Sequence, residues 1–204
     1  MAKMRAPKGK LSRRLGVSLT GFPKTQKTLA RRPAKPGEHG GKRGGKTSEF
    51  GKLLVEKQKL RFGYAIMERQ FRRYFENARR MKGATGENLV KLLETRLDSV
   101  VFRMHLAPSI LAARQLVNHC HVRVNGRKVN IPSYQVKAED VVTVKERSKT
   151  LKCILESLER RDMIRVPYVE FDAATMSGKL LRMPERDEIP VDVNEQSIVE
   201  YYSR

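Results

Sequence analysis

His121-Val122-Arg123-Val124-Asn125-Gly126-Arg127-Lys128-Val129-Asn130 is the stretch on which the fold turns. Asn-Gly between alternating apolar residues is the strongest short hairpin signal, because both central residues of a type I′ turn need positive φ. A two-residue turn fixes the register. Val124 faces Arg127, Arg123 faces Lys128 and Val122 faces Val129. Val122 and Val129 then share the core side. Arg123 and Lys128 oppose each other on the outer side, where like charges are destabilising. Either both side chains splay into water at little cost, or a phosphate sits between them.

Working outward, the hairpin follows a helix. Pro108 ends the preceding segment, Ser109 is an N-cap, and Ile110–His119 is predicted helical, with Ile110, Ala113, Leu116 and Val117 on one side. Arg114 and Asn118 share the other side, with Gln115 and His119 close by. Cys120 stands where a helix usually ends in a left-handed residue, so it reads as a structural cap. Residues 88–104 read as one more helix, with Leu89, Leu92, Leu93, Leu97, Val100, Val101 and Met104 as its buried stripe. Downstream, Val141–Lys145 reads as a strand and Thr150–Ile164 as a helix. Residues 166–193 read as short strands with turns at Ser177-Gly178 and Pro184, and Gln196–Tyr202 as a short helix. Helices beside a small antiparallel sheet make an α+β fold.

The first part of the chain is different. Residues 1–47 lack sustained apolar periodicity and hold Pro23, Pro33, Pro36 and five glycines between 37 and 45. They read as an extended arm that orders on its partner. Ser48 caps a predicted helix over Glu49–Leu60, and Gly63 is a break. Over Tyr64–Met81, Met67, Phe71, Tyr74, Phe75 and Ala78 fall on one arc at helical spacing. Arg69, Arg72, Arg73, Arg79 and Arg80 fall opposite, with Glu76 among them. An ordinary amphipathic helix mixes signs on its polar face. A column of guanidiniums suits a phosphate backbone. Gly83–Gly86 is a linker. The expected organisation is a basic arm at 1–47, a helical domain at 48–87, a helix-and-hairpin module at 88–152, and an acidic extension at 153–204 that packs back on the rest.

Charge agrees with that division. The chain has 204 residues and a net charge of +21. Residues 1–82 hold 24 Lys and Arg against 5 acids, while residues 153–204 hold 7 against 11. The basic part points to a polyanion, with nucleic acid the default. The acidic end points to solvent or a basic protein neighbour. No apolar run approaches the ~18–20 residues of a membrane span, and the first 20 residues contain no apolar signal core. Cys120 and Cys153 cannot build a disulfide framework or a four-thiolate zinc site. His119-Cys120-His121 is a poor metal cluster, since its adjacent members point different ways. There is no phosphate-binding GxxxxGK[ST] loop, no dinucleotide fingerprint after a strand and no HExxH. No enzyme chemistry, metal or cofactor is expected, and the chain reads as a reduced, cytosolic protein.

Arg96-Leu97-Asp98-Ser99-Val100-Val101-Phe102-Arg103, Ala113-Arg114-Gln115-Leu116-Val117, Val124-Asn125-Gly126 and Pro132-Ser133-Tyr134 together resemble the RNA-binding module of the ribosomal uS4 family. The flanks resemble that family too. They are Pro36-Gly37-Glu38-His39-Gly40, Glu56–Arg61, Glu68–Phe75, Val193-Asn194-Glu195-Gln196 and the terminal Glu200–Arg204. The chain is thus similar to a bacterial-type, zinc-free member, since residues 1–50 contain no cysteine. It departs at His105, Cys120 and Glu139, where the module has glycine, and at Ile110, where it often has Arg. The resemblance implies binding to 16S ribosomal RNA at a junction in the 5′ domain. It also implies nucleation of the body of the small subunit, contact with ribosomal protein uS5 and other small-subunit proteins, and an effect on translational accuracy. No membrane role or homo-oligomer is implied. The RNA-contacting residues on this reading are Lys42, Arg43, Lys46, Lys57, Lys59, Arg61, Arg69, Arg72, Arg73, Arg79, Arg80, Arg114, Gln115, Arg123, Asn125, Arg127 and Lys128. Glu185, Asp187 and Glu188 face protein. An RNA-modifying enzyme or a free-standing RNA-binding protein carrying the same module is the alternative.

Overall fold

Asn125 and Gly126 carry φ of +49° and +75°, and the hairpin they close pairs Arg123 with Lys128 and Val124 with Arg127. The expected turn and register are therefore both present. The computed structural model describes residues 7–19, 23–41, 47–160 and 164–203. Its helices are α1 Lys8–Leu15, α2 Pro23–Arg31, α3 Glu49–Gly63, α4 Glu68–Arg80, α5 Thr85–Glu94, α6 Leu97–Arg103, α7 Ile110–Asn118, α8 Lys152–Leu158 and α9 Glu195–Ser203. Its strands are β1 Val122–Val124, β2 Arg127–Lys128, β3 Val141–Val144, β4 Val169–Asp172 and β5 Ser177–Leu180. The fold is α+β. The chain forms two units, one of residues 1–88 with 191–204 and one of residues 89–190. The acidic stretch 153–204 is thus divided between them.

In the unit of residues 89–190 the five strands are antiparallel, in the order β2-β1-β3-β5-β4. Val122, Val124, Val142, Val144 and Leu180 are buried, as are Leu97, Val100, Val101, Leu116 and Val117 on α6 and α7. Each such side chain contributes about 1.5–3 kcal/mol by leaving water. Ser109 caps α7 by accepting from the Ala112 amide, as its position predicts. The single helix expected over 88–104 is two helices. Thr95-Arg96 leaves the helical ladder because the loop at 132–136 competes for its backbone. Leu97 N donates to Tyr134 O at 2.8 Å, and Val136 N donates to Thr95 O at 2.8 Å. Ser177-Gly178 is not a turn; the turn lies at 173–176, and Gly178 is buried inside β5. A Cβ there would come within 2.5 Å of the Glu170 carbonyl oxygen. The helix expected over Thr150–Ile164 is shortened to α8.

Beneath the break at Thr95-Arg96 lies a buried ionic cluster. Asp98 accepts from Arg96 Nε at 2.9 Å and Nη2 at 2.7 Å, and from Arg114 Nε at 2.9 Å and Nη2 at 2.7 Å. It also accepts from the Ser99 amide at 3.1 Å. Nearby, buried Glu94 pairs with Arg103 and accepts from the Tyr168 hydroxyl at 3.0 Å. Burial and that carboxylate push the Tyr168 phenol well above its ordinary range.

The other unit, residues 1–88 with 191–204, is helical. Over 7–41 the expected irregular arm is corrected to the pair α1 and α2, with Ser12, Leu15, Leu19 and Thr25 buried. Gly16 ends α1 at φ +72°, and Arg13 donates to the carbonyls of Ala34 and Lys35. An apolar set this short is a weak periodic signal. Ser48 caps α3 through the Gly51 amide. α4 begins later than expected, so Met67 is its exposed N-cap rather than part of the buried stripe. α9 packs on α3 and α4. Tyr202 stacks on Phe75 at 4.6 Å between centroids, and Tyr201 lies 5.5 Å from Phe50. A Cβ at Gly86 would sit 2.4 Å from the Glu195 Cβ. Gly86→Ala is expected to destabilise the protein by about 1–3 kcal/mol, from forced displacement of α9. A urea midpoint equal to that of the native chain would contradict this.

His105, Cys120 and Glu139 have φ of +60°, +61° and +66°. These are the three positions at which the resembled module has glycine, so the backbone keeps the conformation while the side chain opposes it. Cys120→Gly is expected to raise stability by about 0.5–1 kcal/mol, the left-handed strain removed less the extra freedom of unfolded glycine. Thermal melting of the two chains checks it.

Candidate nucleic-acid interface

On α4, Phe71, Tyr74, Phe75 and Ala78 are buried, while Arg69, Arg72, Arg73, Arg79 and Arg80 are exposed. Eleven helical steps from Arg69 to Arg80 make a column about 16 Å long. Arg72 meets Glu76 at 3.5 Å. The other four have no carboxylate partner among the described residues.

The cations of α3 behave differently. Lys57 is only 3% exposed, with Nζ 2.9 Å from Glu68 and 4.7 Å from the Tyr201 ring centroid. Arg61 donates to Gln58, lies 3.4 Å from Glu68 and covers the Phe62 ring at 4.0 Å. Lys59 pairs with Glu56 at 2.6 Å. Burial alone would raise the Glu68 carboxyl, but its bonds from Lys57 and Tyr202 hold it below the ordinary range. Lys57 is thus part of the joint between α3, α4 and α9, not an exposed contact. Sequence spacing could not show this, because the partner Tyr202 lies 134 positions from Glu68. Lys42, Arg43 and Lys46 lie outside the described residues.

In the sheet unit, Arg123, Arg127 and Lys128 are exposed on the hairpin. The register extends the outer face into a row. Lys128 faces Arg123, Arg123 faces Thr143, Thr143 faces Ser177, and Ser177 faces Asp172. Two cations and two hydroxyls stand side by side, with a carboxylate at the far edge. Thr143 and Ser177 were not foreseen. Alternation marks Thr143 as outward, but nothing local says which strand it neighbours. Asn125 holds the turn. Its Nδ2 donates to Asp140 at 2.8 Å and its Oδ1 accepts from the Val141 amide at 2.9 Å. Arg114, expected at the surface, is buried on Asp98. Gln115, Asn118 and His119 remain exposed on α7.

Among the acids, Glu188 pairs with Arg182 and accepts from the Glu185 amide at 3.0 Å, closing a capping box over Arg186–Glu188. Asp187 and the Glu185 carboxylate are exposed. Among the described residues no group of three metal-ligating side chains occurs, and no helix is long and apolar enough to cross a membrane. What the exposed groups can do is neutralise and hydrogen-bond a phosphate backbone.

Residues 3–94 match the family model described as ribosomal protein S4/S9 N-terminal domain, and residues 95–142 match the S4 domain. A protein of Chloroherpeton thalassium, named small ribosomal subunit protein uS4, is 50% identical over 205 residues, covering all of both chains. Proteins of the same name from Halalkalibacterium halodurans and Porphyromonas gingivalis are 52% and 48% identical, again over the whole of both chains.

Proposed function

Because the chain belongs to the uS4 family of small ribosomal subunit proteins, we propose that it binds 16S ribosomal RNA at a helical junction of the 5′ domain. It is a structural protein of the subunit rather than an enzyme. The observation that carries the RNA reading is the exposed guanidinium column on α4, whose opposite face is packed. The hairpin adds Arg123 and Lys128 from the outer row and the exposed Arg127 beside the turn, and Gln115 lies on the exposed side of α7. Junction RNA is read through shape, phosphate and 2′-OH more than base edges. Binding the folded junction better than its alternatives shifts the RNA population toward it, which is how the protein nucleates assembly of the subunit body.

The test is affinity for 5′-domain RNA against a generic RNA of equal length over a salt series. Tight binding to the junction alone, surviving higher salt, supports the reading. Equal binding with a steep slope for both leaves only a basic protein. Cosedimentation with small subunits at high salt separates a ribosomal role in the cytoplasm from a free-standing one.

Glu185 and Asp187 are proposed to face a basic protein neighbour such as uS5, an interface through which translational accuracy is affected. Glu188 is tied to Arg182 and serves that turn, and the exposed Glu185 side chain also caps it and lies 3.9 Å from Arg182. Reversing Glu185 and Asp187 to Lys is expected to weaken protein binding and leave RNA affinity unchanged. Equal loss of both would sink the assignment.

A further inference from the structure

The junction between α7 and β1 gathers three basic groups that the hairpin row does not include. His119 is exposed at the end of α7, and its ring centroid lies 6.1 Å from that of His121. Lys145 follows β3 directly, and its amide donates to the His121 carbonyl at 2.9 Å. The Lys145 side chain is exposed. The His121 ring is fixed rather than free, its Nδ1 lying 2.9 Å from the hydroxyl of buried Ser148. Around the ring, α7 supplies His119, the end of β3 supplies Lys145, and the 3-10 turn Glu146–Ser148 supplies Glu146 and Arg147. Glu146 is turned to Lys149, at 2.8 Å. No carboxylate pairs with His119, His121 or Lys145 among the described residues.

We propose that His119, His121 and Lys145 form an RNA phosphate site whose occupation takes up a proton. The proposal rests on the RNA-binding reading above and adds a location and a linkage to it. The physical ground is a missing counter-ion. Burial, followed by the charges of His119 and Lys145, holds the His121 imidazole below its ordinary range. In the free protein the ring is therefore largely neutral near pH 7. A phosphate placed among the three reverses the local field and favours the imidazolium. With Nδ1 engaged by Ser148, Nε2–H is the group of the imidazolium left to donate to a phosphate oxygen. The bound state holds its proton to higher pH than the free state. Affinity therefore rises as pH falls through the bound value and levels off below the free one.

The experiment is the dissociation constant for 5′-domain 16S RNA at constant salt between pH 7.5 and 6.0. Native protein, His121→Gln and His119→Gln are each measured with the same RNA. Native binding is expected to tighten about 3–10-fold across this range, because a proton held tenfold more tightly in the complex makes the protonated complex tenfold tighter. Both variants are expected to bind more weakly at pH 6.0, and His121→Gln is expected to lose most of the pH dependence. A His121→Gln slope equal to the native one, or a flat native profile with intact junction binding, overturns the site and leaves the RNA reading standing. Failure of the native protein to prefer junction RNA removes both. Should His121→Gln not fold, the His121 ring resonance of native protein is titrated by NMR, free and bound. An upward move of its midpoint on binding is the expected result, and an unchanged midpoint overturns the proposal.

Discussion

Asp98→Asn is expected to cost about 3–5 kcal/mol of stability, the largest effect of any single substitution considered. Asp98 is fully buried and holds two guanidiniums, one of them, Arg96, also fully buried. Asparagine keeps the shape but removes the charge. It also replaces one acceptor oxygen with an NH₂ that points at donors. Two buried cations are left without their anion. The loss is comparable to the whole stability of many domains, so the variant is expected to be partly unfolded at 37 °C. Urea denaturation followed by circular dichroism reads it directly. A loss below about 1 kcal/mol would mean that water reaches the cluster and screens it.

The second large effect is on binding. Replacing Arg69, Arg73, Arg79 and Arg80 together by Ala is expected to weaken 5′-domain RNA binding by ~10²–10³-fold at moderate salt, about 1 kcal/mol for each lost contact. The slope of log affinity against log salt should fall by about 3, since each phosphate contact contributes roughly 0.7–0.9. The four side chains are exposed and lack carboxylate partners among the described residues, so stability should change little. An unchanged salt slope would remove α4 from the interface and with it the main support for the proposed function.

These two expectations also mark what was legible in the sequence. The α4 column and the Asn125-Gly126 hairpin could be read because each is set by spacing within a dozen residues. Cys120 could be read as a left-handed cap because a local helix end demands one. Arg114 could not be placed, since helical periodicity puts it on a polar face while the Asp98 that buries it lies 16 positions away. Lys57 failed in the same way, through a partner on α9. The row from Lys128 to Asp172 needed the pairing of β1 with β3 and of β3 with β5, which alternation alone does not give. Over residues 7–41, composition favoured irregular chain. A few buried side chains, with bonds such as that from Arg13 to Ala34, tipped the balance toward helix.

The position of α9 has a consequence for the order of synthesis. The stacked face of Phe71 and Phe75 is translated about 130 residues before the Tyr202 that covers it. At ~5–20 residues per second that interval is roughly 6–26 s. The unit of residues 89–190 is contiguous and is translated whole inside that interval. The older helices meanwhile wait with their aromatic side chains uncovered. A chain interrupted after residue 190 but before Tyr202 therefore carries a complete sheet unit and an unfinished helical one. A protease or chaperone can recognise such a product by the uncovered aromatic face. Completion of the helical unit thereby doubles as a report that translation has run through residue 203.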